Sequence, residues 1–224
     1  MRFQDAAPDA RAIVYAGIQA DPLVARAAGL LAQATPDERL LARAVMNGES
    51  TDAAAWRAMF PGLFGGNGAG TDRSEAILAA SLAVAERGEQ ARSQYRGAIV
   101  ESLTELLLRR RLPGAGANAV RRERRILFDG IRAEIHPYDV TVEIPGAAAA
   151  VDCKWGARGI SADVLHQLDA ARTHAREEDE TLAVLLVVFD AARSCAVRLD
   201  RQTAPHEATR VISLETLDDL AQPA

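Results

Sequence analysis

The chain has 224 residues, 49% of them hydrophobic and 25% charged, with a formal net charge of -5. That balance suits a globular protein with one large domain, or a core domain and a smaller appendage. Its acidity argues against a general nucleic-acid coat protein. The longest clean apolar run, Leu182 to Phe189, is far too short for a membrane span. The N-terminus lacks the apolar stretch of a signal peptide, and Cys153 and Cys195 do not make a disulfide framework. A cytoplasmic location is therefore expected.

In chain order, residues 1 to about 60 read as short helices. Ala12, Ile13, Ala16 and Ile18 give a loose apolar face, and Pro22 interrupts before Leu23 to Ala34. Thr35-Pro36-Asp37-Glu38 has the form of a capping box with proline at the first helical position, followed by Leu40, Leu41, Ala44 and Val45 at helical spacing. Residues 61–72, PGLFGGNGAGTD, read as a Gly-rich linker. They lack the Gly-Lys-Ser/Thr of a phosphate-cradling loop. A helical stretch follows from about Arg73 to Leu112, broken near Gly88. Beyond Pro113-Gly114 the pattern changes to strands over Arg124 to Phe128, Ile131 to Ile144 and Ala148 to Trp155, with turns at Asp129-Gly130 and Pro145-Gly146. Ser161 to about Glu177 reads as a helix with Ser161 as its N-cap. Leu182 to Phe189 reads as a strand covered on both faces. Arg210 to Leu214 reads as a last strand, followed by a short helix. The expected organisation is a helical region over 1–72, its linker included, and an α/β domain over 73–224.

Charge is uneven along this chain. From Arg92 to Arg132, ten arginines face four acids, leaving the segment at net +6. Such a segment can track a phosphate backbone, or simply form a solvated helix end and a polar loop. The 26 basic residues comprise 25 arginines and a single lysine, Lys154. Arginine is a broad, permanently charged fork; lysine is a compact ammonium that can approach a reacting oxygen. A lone lysine in an arginine background marks a place where arginine would not serve.

Strand alternation in HPYDVTVEI puts Asp139, Thr141 and Glu143 on one face, and in VDCKW it sets Asp152 and Lys154 together. The short Pro-Gly-Ala connection lets the two strands pair as a hairpin, with Asp139 across from the region of Asp152 and Lys154. Two carboxylates and an ammonium then meet. Carboxylates suit Mg²⁺, and an adjacent lysine can stabilise developing negative charge.

Pro137-Tyr138-Asp139 followed by Asp152-Cys153-Lys154 resembles the PD-(D/E)xK nuclease superfamily, over about residues 92 to 190. The resemblance implies an α/β fold with a restriction-endonuclease-like core, an α-β-β-β-α-β mixed sheet flanked by helices, here with a helical N-terminal region. It implies a metal-dependent nuclease in which Asp139 and Asp152 bind Mg²⁺ (or Mn²⁺), assisted by the backbone carbonyl of Cys153. Lys154 is then catalytic. It further points to Glu101 on the first core helix, as a catalytic and metal-binding group, and to Gln167 on the helix after the lysine. Glu105 is a rival for the place of Glu101.

Expected phosphate contacts are Arg109, Arg110, Arg111, Arg121, Arg122, Arg124 and Arg125, with Arg158 just past the motif. The expected substrate is DNA, favoured over RNA. The N-terminal helices are a candidate surface for homodimerisation or a partner protein. The rival readings are a non-catalytic nucleic-acid-binding or protein-interaction module that keeps the fold, and an RNA-directed nuclease. The four histidines and two cysteines match no closed zinc spacing, and no G-x-S-x-G elbow is present.

Overall fold

The computed structural model describes residues 1–7, 10–48, 50–66, 68–129, 131–132 and 136–222. The chain forms two compact units, one of Met1–Pro8 with Leu107–Ala224 and one of Asp9–Leu106. The first segment is a strand, β1 (Arg2–Asp5). It belongs to the first unit, which corrects the expectation of helix there. Its sequence, RFQD, carries no pattern of its own and is held by pairing with residues 124–127.

The second unit is helical: α1 (Ala10–Gln19), α2 (Pro22–Leu31), α3 (Pro36–Asn47), α4 (Ala53–Met59), α5 (Pro61–Phe64), α6 (Ala69–Ala85) and most of α7 (Glu89–Arg111). Its helix starts are written locally. Asp21 caps α2 by accepting from the Leu23 amide. Thr35 and Glu38 close the capping box of α3, with Pro36 first in the helix. Glu38 is 2% exposed and also accepts from Arg73 at 2.9 Å and Ser74 at 3.0 Å, fixing α3 to α6. Val24, Leu31, Leu41, Val45, Ile77, Leu78 and Val84 are buried. The boundary expected at residue 72 falls inside this unit, because α6 packs on α2 and α3. The Gly-rich stretch is correspondingly shorter than expected, with α5 in it and α6 beginning at Ala69.

The α/β unit continues with β2 (Val120–Phe128), β3 (Ile131–Arg132), β4 (Tyr138–Ile144), β5 (Ala147–Lys154), a 3₁₀ turn (Ala157–Gly159), α8 (Ala162–Glu177), β6 (Leu182–Val188), α9 (Ala192–Leu199), β7 (Arg210–Ile212) and a 3₁₀ segment (Leu214–Leu220). Gly130 and residues 133–135 of the expected second strand lie outside the described residues. Sheet order is β1-β2-β4-β5-β6-β7, with β3 also pairing β2. Pairing is antiparallel from β1 to β5 and parallel for β5–β6 and β6–β7. This is a mixed sheet flanked by helices, as an α/β chain requires.

The parallel pairs need crossovers, and α8 and α9 supply them. α9 was not expected; its eight residues, ARSCAVRL, sit between β6 and β7 and are too few for a helical period to stand out. Pro145-Gly146 makes the β4–β5 turn, with Gly146 at φ 79°, a left-handed conformation favouring glycine. Ser161 caps α8 by accepting from the Val164 amide. Leu165, Leu168, Ala171 and Ala175 of α8 pack with Leu182, Val184, Leu186 and Val188 of β6. The alternate β6 residues, Leu185 and Val187, are buried as well, so the continuous apolar run is covered on both faces. Among the described residues no helix is long and apolar enough to cross a membrane.

Candidate functional site

The β4–β5 ladder runs from Ile144–Ala147 to Val140–Val151. One step further sets Asp139 opposite Asp152, at the end where β5 still pairs with β6 through Lys154 and Val188. The carboxylate of Asp139 takes over there: its Oδ2 accepts the Cys153 amide at 2.6 Å. In an extended strand the N–H and C=O of one residue point to the same side, so the Cys153 carbonyl is directed to the side on which Asp139 stands. On the other side of β5, the Lys154 carbonyl accepts from the Phe189 amide at 2.8 Å.

Asp152 lies beside Leu186 and Lys154 beside Val188, on the face of β5 that α8 covers. The side chain of Asp152 is 10% exposed and that of Lys154 27%, and the two are joined by an ion pair. Burial by itself pushes the Lys154 ammonium down; the charges of Asp152 and then Asp139 overcome it, and the pKa ends above the ordinary lysine value. Lys154 is therefore a cation at neutral pH, compensated by both carboxylates. The structure thus brings together Asp139, Asp152, Lys154 and the Cys153 backbone.

The donors here are carboxylate and carbonyl oxygens, which suit Mg²⁺ or Mn²⁺ and not a zinc thiolate site. Among the described residues no group of three or more His, Cys, Asp or Glu side chains is placed to hold a metal. A bound ion would thus rest on the two aspartates and leave its other positions to water, the carbonyl or substrate oxygens, the ordinary habit of Mg²⁺ at phosphates.

Gln167 stands on α8, and its Nε2 donates to the His136 carbonyl at 3.1 Å, while its own carbonyl accepts from the Tyr138 hydroxyl at 3.4 Å. It thereby ties α8 to the segment that delivers Asp139. Glu101 belongs to the helical unit. It is 5% exposed there and accepts from Tyr15 Oη at 2.6 Å and from Gln19 Nε2 at 2.8 Å. Glu105 is half-buried on the same helix.

The arginines divide by what they hold. Arg109 donates to the Ala117 carbonyl at 3.0 Å and the Val120 carbonyl at 2.6 Å, fastening the loop that leads into β2. Arg124 is 7% exposed, pairs with Glu143 at 2.8 Å and donates to the Phe3 carbonyl at 2.9 Å. Arg121 pairs with Asp5 at 2.8 Å. Arg111, Arg122 and Arg125 are half-buried; Arg110 is exposed at the end of α7, and Arg158 is exposed on the 3₁₀ turn that follows Lys154.

That turn escaped the sequence reading. A Cβ on Gly159 would stand 2.9 Å from Cβ, Cγ and Cδ of Lys154, so the turn lies directly on the lysine stem. Asp190, at the end of β6, was missed too: it is 8% exposed and its Oδ2 accepts the Ala157 amide at 2.9 Å. The only local signal was the pair of glycines after Lys154, Gly156 and Gly159.

No family model matches the chain, and no curated sequence matches it. A solved structure, that of protein VC1899 from Vibrio cholerae, is similar at 16% identity and a TM-score of 0.48, covering 90% of this chain and 55% of that one. This chain thus spans about half the length of the protein it matches.

Proposed function

We propose that this chain is a metal-dependent nuclease of the PD-(D/E)xK kind, with a restriction-endonuclease-like core, hydrolysing phosphodiester bonds of nucleic acid as a DNA endonuclease. The observation that carries the reading is the convergence of Asp139, Asp152 and the chain's single lysine, Lys154, where the start of β4 meets the end of β5. When bound, Mg²⁺ would polarise the scissile phosphate and activate water. Asp139 and Asp152 would hold it. Lys154, protonated at neutral pH, lends its charge to the oxygens on which negative charge develops and does not take up a proton. The apolar floor of Leu186 and Val188 strengthens that interaction by lowering the local dielectric. Gln167 orients the strand that carries Asp139. Arg158 and Arg110, both exposed, are the proposed phosphate contacts, while Arg109 and Arg124 serve the fold.

The test is cleavage of single- and double-stranded DNA and RNA with Mg²⁺, Mn²⁺ or EDTA, comparing wild type with Lys154→Ala and Asp139→Ala. Metal-dependent cutting lost in both variants is the expected result. Cutting that survives both removes the site assignment. Nucleic-acid binding by the wild type that is indifferent to Mg²⁺, without cutting, would favour a binding module; cutting confined to RNA would replace the DNA substrate.

A further inference from the structure

Lys154 is gripped at three levels. Its ammonium meets Asp152, its carbonyl accepts from Phe189, and its stem lies on Gly159. The third grip depends on the short turn Ala157–Gly159, whose Arg158 side chain is exposed. Two side chains tether that turn. Arg198 of α9 donates Nε to the Ile160 carbonyl at 2.9 Å. Asp190 does more: Oδ2 accepts the Ala157 amide at 2.9 Å, and Oδ1 accepts the Ala191 amide at 2.8 Å. Its main-chain carbonyl accepts from Leu214 at 3.0 Å. A stack of Trp155 on Phe189, with centroids 5.0 Å apart, closes the same junction beside it.

We propose that Asp190 is a positioning residue for Lys154: it pins the turn Ala157–Gly159 against the lysine stem and so fixes where the ammonium stands. The proposal rests on the nuclease reading for its consequence in catalysis, but not for its geometry. A lysine on four flexible carbons is a poor electrostatic partner unless its stem is held. Here Gly159 lies so near that stem that a Cβ on it would stand 2.9 Å from Lys154 Cβ, Cγ and Cδ, and the glycine's turn is held by Asp190. In Asp190→Asn the side chain keeps its size but has one acceptor oxygen for two amides.

Because Lys154 is the chain's single lysine, protein made with lysine isotope-labelled at the ε-carbon gives one ε-methylene carbon NMR signal. The experiment records that signal in the full chain for wild type, Asp190→Asn and Gly159→Ala. A control, Leu217→Ala, removes a fully buried side chain from the 3₁₀ segment Leu214–Leu220 and marks the effect of destabilisation alone. The ε-methylene signal is expected to shift and broaden in Asp190→Asn and Gly159→Ala and to stay in place in Leu217→Ala. In cleavage assays kcat is expected to fall by on the order of 10- to 100-fold in Asp190→Asn with KM unchanged. An unmoved lysine signal in folded Asp190→Asn overturns the proposal. Should that variant not fold, an unmoved signal in Gly159→Ala overturns it equally. A shifted signal in a protein whose wild type cuts nothing supports the positioning role and rejects the nuclease reading instead.

Discussion

Replacing Lys154 by Met removes the ammonium while keeping most of the stem on Gly159. Two carboxylates are then left with their shared cation gone. Breaking a buried pair by deleting one partner costs about 3–5 kcal/mol. Here Asp152 is 10% exposed and Lys154 27%, so water replaces part of what is lost. The expected loss is about 2 kcal/mol, between the buried and the surface limits. At about 2–4 °C per kcal/mol for a chain of this size, the α/β unit should melt about 4–8 °C lower. The two units need not melt together, so the transition is followed through Trp155, which lies in the α/β unit, in a Trp56→Phe background. Mg²⁺ should then rescue the variant more than it helps wild type, because the aspartates no longer share their charge with an ammonium. At roughly 100 times its Kd the ion adds about 2.7 kcal/mol. A variant that melts with or above wild type, and whose melts in Mg²⁺ and EDTA superimpose, would refute the electrostatic account of the site.

The stability difference between wild type and Lys154→Met should also depend on pH in one direction. The folded pKa of Lys154 is raised, so its contribution is fully present below the ordinary value of 10.5 and is lost as pH rises through the higher folded value; a difference that vanishes already near neutrality would contradict this. Glu38 has the opposite sign. Burial raises its pKa, but Arg73, the Thr35 amide and Ser74 bring it below the ordinary value of 4.5, so its contribution is lost as pH falls past that value, and Glu38→Gln should flatten the acid limb of helical-unit denaturation. Glu101→Gln should destabilise the helical unit by about 1–3 kcal/mol, since Tyr15 and Gln19 both donate to the carboxylate; a variant of unchanged stability that has lost all cleavage would instead make Glu101 part of the catalytic machinery. Gly146→Ala should cost about 1–2 kcal/mol in chemical denaturation, because φ 79° disfavours a Cβ.

Much of the α/β unit was legible because its signals are local. The Ser161 cap, the Pro145-Gly146 turn and the apolar run from Leu182 each announce an element within a few residues. The hairpin spacing likewise sufficed to bring Asp139 near Asp152. What escaped was set by partners distant in sequence. β1 is a strand only because residues 124–127 pair with it. α9 is too short for its period to stand out. The buried place of Arg124 depends on Phe3 and Glu143, so its charge could be counted from sequence but not its employment. Asp190 follows the apolar strand like any polar stop; its tie to Ala157 crosses 33 positions.

The pairing of β1 with β2 has a consequence for the order in which the chain can assemble. Residues 2–5 emerge from the ribosome before the helical unit, and their partners 124–127 emerge only after it. At about 5–20 residues per second the delay is roughly 6–24 s. The helical unit can therefore be complete while the strand that Phe3 anchors into the other core is still unpaired. An α/β unit cut out as residues 107–224 would lack its edge strand, and Arg124 would lose the Phe3 carbonyl. In crowded synthesis that waiting strand can also find the β2 of a neighbouring chain, which makes exchange of β1 between copies the characteristic hazard of this topology.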